Sequence, residues 1–198
     1  FQDDTVALLD FEDNSGFCRA GTAAIHTEVR GHVDGGGPFA GLRFRIGVPK
    51  EKNFVDLAKA KAPLNRPELF WSWTDGYIFL RASFRSAARE STALWLGAAP
   101  YDVRGCAGSC TDDPRPVAVV DGFDPARDVV VLDVGQLFAG ASFGASALAA
   151  DGGAEAAGCF MEHHAGTCEP ILAPLGIDWA RRVPPEAGRV AIVRRQER

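Results

Sequence analysis

Leu69-Phe70-Trp71-Ser72-Trp73-Thr74-Asp75-Gly76-Tyr77-Ile78-Phe79-Leu80-Arg81 is the stretch on which the fold turns. It allows two readings. In one, Asp75-Gly76 is a tight hairpin turn joining a strand over 69–74 to a strand over 77–82. In the other, Asn65 caps a short helix with Pro67 in its first turn and Gly76 beyond its end. That helix then runs into the strand 77–82, and this is the reading the local signals favour. In a strand Trp71 and Trp73 would share one face; in a helix they would diverge.

Outward from this block the chain reads as short strands broken by turns. Residues 5–11, 25–33, 42–46, 91–96, 116–121, 129–134 and 190–194 carry strand patterns. The 42–46 segment alternates apolar and basic residues, the mark of a strand with one buried face. The run Asp121-Gly122-Phe123-Asp124-Pro125 supplies a turn that would pair 116–121 with 129–134. A short helix is expected over 55–61, closed by Pro63, and the Ala/Gly-rich 139–157 reads as a flexible loop of low complexity. The expected fold is mainly β: an antiparallel β-sandwich with one or two short helices and long loops, a single domain over 1–198.

Composition narrows the function classes. A formal net charge of −5 argues against a nucleic-acid surface. The basic residues Arg194, Arg195 and Arg198 read as a solvated tail. No window approaches the ~18 apolar residues of a membrane-spanning helix. The chain starts at Phe1, so a processed or truncated product, with any export signal removed upstream, is the expectation. No nucleophile elbow, phosphate loop or metalloprotease motif is present, and an enzyme is not expected.

Five cysteines are the strongest compartment signal. Cys106 and Cys110 flank a tight loop; Cys159 and Cys168 bracket a segment holding Met161, His163 and His164. Four thiolates could close a zinc or copper(I) site. Two far-apart pairs fit disulfides better, and disulfides imply an oxidising compartment, periplasmic or extracellular. Local pairing is the simplest of three connectivities. Cys18 makes the count odd.

The four histidines divide into two sets. His163 and His164 beside Met161 offer imidazole and thioether, a copper donor set; the competing reading is an ordered polar loop. His26 and His32, also candidate metal ligands, share a strand face but lie about 20 Å apart at ~3.3 Å per residue, too far to share one metal ion unless Gly31 breaks the strand. Asp121, Asp124 and Asp128 could offer oxygens to calcium, but the spacing does not match an EF-hand and turn chemistry explains them.

Six blocks in consistent order resemble a known family: VALLDFEDNSGFCRAGT, GLRFRIGVP, APLNRPELFWSWTDGYIFLR, LWLGA, GFDPARDVVVLDV and GCFMEHHAGTCEPILAPLGID. The sequence is similar to the metallo-mystery-pair four-Cys-motif family, also called MbnP-like. The resemblance implies an exported copper-binding protein acting with a diheme peroxidase-like partner. That partner would oxidise a tryptophan here (Trp71, Trp73 or Trp95) to kynurenine, whose aniline nitrogen joins histidine in binding copper. Three departures stand out. Phe54 follows Asn53 where the family often reads Asn-His, and Trp95-Leu96-Gly97 stands where it often reads His-Leu-Gly. An N-terminal stretch with a further cysteine is expected to be missing, which leaves Cys18 without its family partner. A structural or interaction β-sandwich that has lost its metal site is therefore the alternative expectation.

Overall fold

The computed structural model describes residues 1–15, 22–35, 37–86, 89–97, 113, 115–140, 158–160, 165–178 and 190–197, with 83–86, 89–94, 158–160 and 165–168 described by their backbone. Cys18, Cys106, Cys110, Met161, His163 and His164, and most of the Ala/Gly-rich segment, lie outside the described residues.

The alternation at 42–46 does make a strand, β1 (Gly41–Arg45). Leu42 and Phe44 face the core while Arg43 and Arg45 face out. β1 pairs antiparallel with β5 (Val117–Asp121), Arg43 opposite Val119. A four-stranded sheet is ordered β2 (Phe70–Ser72), β3 (Gly76–Ser86), β4 (Arg89–Gly97), β7 (Gly158–Phe160). A third ribbon pairs β6 (Asp128–Leu132) with β8 (Val193–Glu197). The sandwich is mainly antiparallel, as the turn-rich sequence predicts; the β4–β7 pair runs parallel.

Leu80, Ala82 and Leu96 of the four-stranded sheet meet Leu42, Phe44, Ala118, Val120, Val130, Leu132 and Val193 of the two ribbons in one core. Helices α2 (Val134–Phe138) and α3 (Ala165–Leu172) add Leu137, Ile171 and Leu172. Each fully buried leucine contributes about 1.5–3 kcal/mol by removal from water. A smaller cluster gathers Val48, Leu64 and Tyr77, with Val6, Val55, Phe70 and Phe79 against them.

The deciding stretch folds closer to the hairpin reading. One 3-10 turn (Pro67–Leu69), entered from Arg66 rather than capped by Asn65, leads into β2. The chain then reverses through Thr74 and Asp75, whose N–H groups donate to Ser72 Oγ at 3.1 and 3.0 Å. Gly76 closes the turn at φ +76°, where a Cβ would collide with the Asn53 amide. Trp71 and Trp73 do not share a strand face, because β2 ends at Ser72.

Other expectations fail for local reasons. No helix forms over 55–61: the Asp56 carboxylate accepts from Ala58 N–H at 3.1 Å and pairs with Lys59, closing a turn. The helix here is instead α1 (Lys50–Asn53). Residues 5–11 and 25–33 join no ladder and make the isolated bridges Gln2–Ala7 and Asp10–His26. Asp3 diverts the first of these segments, since its carboxylate accepts from Thr5 and Val6 N–H at 2.8 and 2.7 Å. β5 and β6 are not a hairpin: each pairs elsewhere, and the Asp-Gly-Phe-Asp-Pro run carries the chain between two ribbons. Residues 129–134 stop as a strand at Leu132, because Asp133 caps α2 through Gln136 N–H at 3.1 Å. The strand expected at 190–194 lies further on, at Val193–Glu197.

Candidate functional site

The end of the four-stranded sheet gathers the aromatic residues singled out in the sequence. Arg81 and Trp95 are register partners on β3 and β4. The Arg81 guanidinium carbon stands 5.0 Å from the centre of the Trp95 ring, a cation–π contact. Its Nη1 also donates to the Glu68 carbonyl at 2.9 Å, which holds the cation in place. Trp95 is half-buried under it.

Trp71 completes this face. Its six-membered ring lies against Gly97, where any Cβ would run into it. Glycine is therefore required at 97 by close approach rather than by backbone angle. Gly97 and Trp95 are two apart on β4 and so share a face of the sheet. Trp73, by contrast, is 71% exposed in the hairpin turn.

On the far side of β4 runs β7, with Trp95 opposite Phe160 and Leu94 opposite Cys159. β7 ends at Phe160 and α3 begins at Ala165; Met161, His163 and His164 lie outside the described residues. Cys168 falls within α3, not in an open loop.

His26 and His32 lie elsewhere. The His26 ring stacks on Phe1 at 4.8 Å, with the Arg66 guanidinium over Phe1 at 4.9 Å. His26 Nδ1 is 2.8 Å from the Leu8 carbonyl, to which it donates. His32 is exposed, 3.6 Å from Asp34. The structure does not bring these two together. Among the described residues no group of three or more His, Cys, Asp or Glu side chains is placed to hold a metal ion.

The acidic loop is structural in the same sense. Asp128 is buried and accepts from Asp124 N–H at 2.7 Å, with Arg195 3.8 Å away. Asp124 is held below the usual carboxylate range by the Ala126 N–H and by Arg127. Two residues that matter here carry no motif. Arg81 could have been found from the parity of two paired strands, and Gly97 from its place two residues after Trp95. Buried Asn53, whose Oδ1 accepts from Tyr77 N–H at 3.0 Å, had only the family's Asn-His pattern as a signal.

The family model for MbnP matches residues 1–159. This chain belongs to the MbnP family. The solved structure of MbnP from Methylosinus trichosporium superposes with a TM-score of 0.60 at 20% identity, covering 82% of this chain. It covers 64% of the Methylosinus chain, so this MbnP-family chain spans less than two thirds of that protein. At that identity the likeness establishes the shared β fold. No curated protein matches. Among the described residues of this family member no helix is long and apolar enough to cross a membrane.

Proposed function

We propose that this MbnP-family protein is an exported, non-catalytic copper-handling protein, and that Trp71 is the residue a diheme partner oxidises to kynurenine. One observation carries the reading: Trp71 lies on Gly97, in the tripeptide Trp95-Leu96-Gly97 where the family often has His-Leu-Gly. The modified side chain would thus sit beside the family's histidine position. Here that position is a tryptophan, and its strand partner Phe160 is followed in the sequence by the histidines at 163 and 164. His163 and His164, with Met161, are the donors assigned to copper as cargo, together with the kynurenine amine.

The modification balances as cleavage of the indole C2–C3 bond by dioxygen, followed by hydrolysis of the formyl amide. Tryptophan, dioxygen and water give kynurenine and formate, with the diheme centre activating the oxidant. Trp71 is only half-buried, which leaves an electron-transfer route to a docked partner. Trp95 is the less easily oxidised of the two, because the Arg81 cation over its ring disfavours loss of an electron.

The test is peptide mass spectrometry on protein made with its diheme partner. Trypsin releases 62–81 as one piece, since Pro67 blocks cleavage after Arg66. The expected result is a mass change equal to replacing one indole carbon by oxygen, mapped by fragmentation to Trp71. Unmodified Trp71, Trp73 and Trp95 would overturn it. Replacing His163 and His164 by alanine should then abolish copper binding. A second reading, a structural or interaction sandwich that has lost its metal site, is favoured by Phe54 and Trp95 at the family's histidine positions; no copper binding by the modified protein would select it, and unchanged affinity in the double variant would make His163 and His164 scaffolding.

A further inference from the structure

Residues 25–33 alternate without a break: Ile25, Thr27, Val29, Gly31 and Val33 on one side, His26, Glu28, Arg30 and His32 on the other. The segment is held at two points. His26 exchanges both backbone bonds with Asp10, at 2.7 and 2.8 Å. Arg30 N–H donates to Gln2 Oε1 at 2.9 Å, and the Arg30 carbonyl accepts from Gln2 Nε2 at 2.5 Å. Both fixed residues are even-numbered. In a strand the N–H and C=O of one residue point to the same edge and those of the next to the opposite edge. In the extended geometry that the alternation predicts, the odd-numbered residues direct their backbone groups to the edge opposite Asp10 and Gln2, and among the described residues none of these groups has a hydrogen-bond partner. On this open edge Ile25, Val29 and Val33 are 56, 62 and 58% exposed.

The charge pattern selects the occupant. If a second copy of the segment runs antiparallel with Val29 opposite Val29, Ile25 faces Val33 and Thr27 faces Gly31. On the other face Glu28 meets Arg30 twice, and His26 meets His32 twice. Moving the register by one allowed step places Arg30 on Arg30 or Glu28 on Glu28, and like charges directly opposite are destabilising. The backbone parity agrees with the chosen register. Odd pairs exchange the hydrogen bonds, and even pairs become the non-hydrogen-bonded ones, whose Cα atoms approach to about 4.5 Å with side chains closest.

We propose that 25–33 is the strand through which two copies of this chain pair, antiparallel about Val29, and that each His26–His32 pair so created takes a divalent transition-metal ion. Within one chain these imidazoles are far apart; across the two-fold axis they are direct neighbours. The geometry of His26 suits the role, because its Nδ1 is engaged with the Leu8 carbonyl and Nε2 is the ring nitrogen that would meet the metal ion. The pairing also closes an exposed strand edge.

Sedimentation analysis of the chain, with and without zinc chloride, tests this. The expected result is a concentration-dependent dimer that zinc tightens by about tenfold or more. Val29→Pro removes a donor at the centre of the pairing and should give a monomer with unchanged thermal stability, since that N–H has no partner in the folded chain. Glu28→Arg and Arg30→Glu should each weaken the dimer, and the two together should restore it. His32→Ala should keep the dimer and lose the zinc response. A monomer at every concentration, or a dimer indifferent to Val29→Pro and to the charge reversals, would overturn the pairing. A zinc response that survives His32→Ala would overturn the metal sites.

Discussion

Residues 42–46 and residues 25–33 carry the same kind of alternation, yet only the first lies in a sheet of this chain. β1 has β5 along its edge, and its Leu42 and Phe44 pack against the buried cluster that includes Leu137 and Leu172. The 25–33 segment has one backbone bridge and one glutamine clamp, and its apolar row meets no facing layer among the described residues. The difference teaches that alternation reports a strand's capacity to bury one face. Whether a partner is present is decided by the rest of the chain, or by another chain.

The largest expected effect sharpens that contrast. Leu172→Ala, at a fully buried site of the main core, should cost about 2–5 kcal/mol in urea unfolding. Val29→Ala at the exposed row should stay within about 0.5 kcal/mol for the monomer. Equal losses would break the comparison. Next comes Gly97→Ala, which forces the Trp71 ring off β4 and should cost roughly 1–3 kcal/mol, with a change in tryptophan emission. Asn53→Ala leaves the buried Tyr77 N–H without its acceptor and should cost about 1–3 kcal/mol by thermal unfolding.

The smallest effect concerns the N-terminal segment. Burial pushes the Asp3 carboxyl up, but the bond from Lys52 and the N–H groups of Thr5 and Val6 outweigh it and hold its pKa at about 2. A carboxylate whose folded pKa lies below its ordinary 3.8 stabilises the fold above that value, and the contribution fades as pH falls from about 4 towards about 2. Solvent screening of this partly exposed pair limits it to roughly 1 kcal/mol or less. Asp3→Asn should remove that acid-side slope, read as protection of the Val6 amide against hydrogen exchange. An unchanged slope would show that 1–15 is anchored by other contacts.

Much of the sandwich was legible, because β1 and β5 bury alternate residues and the turn runs at 74–76 and 121–125 carry Gly, Asp or Pro. α3 was not: Gly166 and Pro170 lie inside it and argue against a helix, yet burial of Ile171 and Leu172 prevails. The partners of β5 and β6 were not legible either, since a turn sequence signals a reversal without naming which strands then pair. At the site, the sequence marked Trp71 and Trp95 as chemically interesting. The seating of Trp71 on Gly97, two residues from Trp95, and the Arg81 cation on Trp95 depend on β2, β3 and β4 lying side by side, which no local pattern encodes.

The main core also sets a schedule for synthesis. Its buried members run from Leu96 through Val120 and Leu172 to Ile192 and Val193, so no early portion of the chain holds a complete apolar centre. A ribosome must release nearly all of this sequence before β6 can meet β8 or β4 can receive β7. Such distant pairings place folding in the slow, millisecond-to-second range. Through that interval the early strands wait with open edges, exposed to chaperones and to one another.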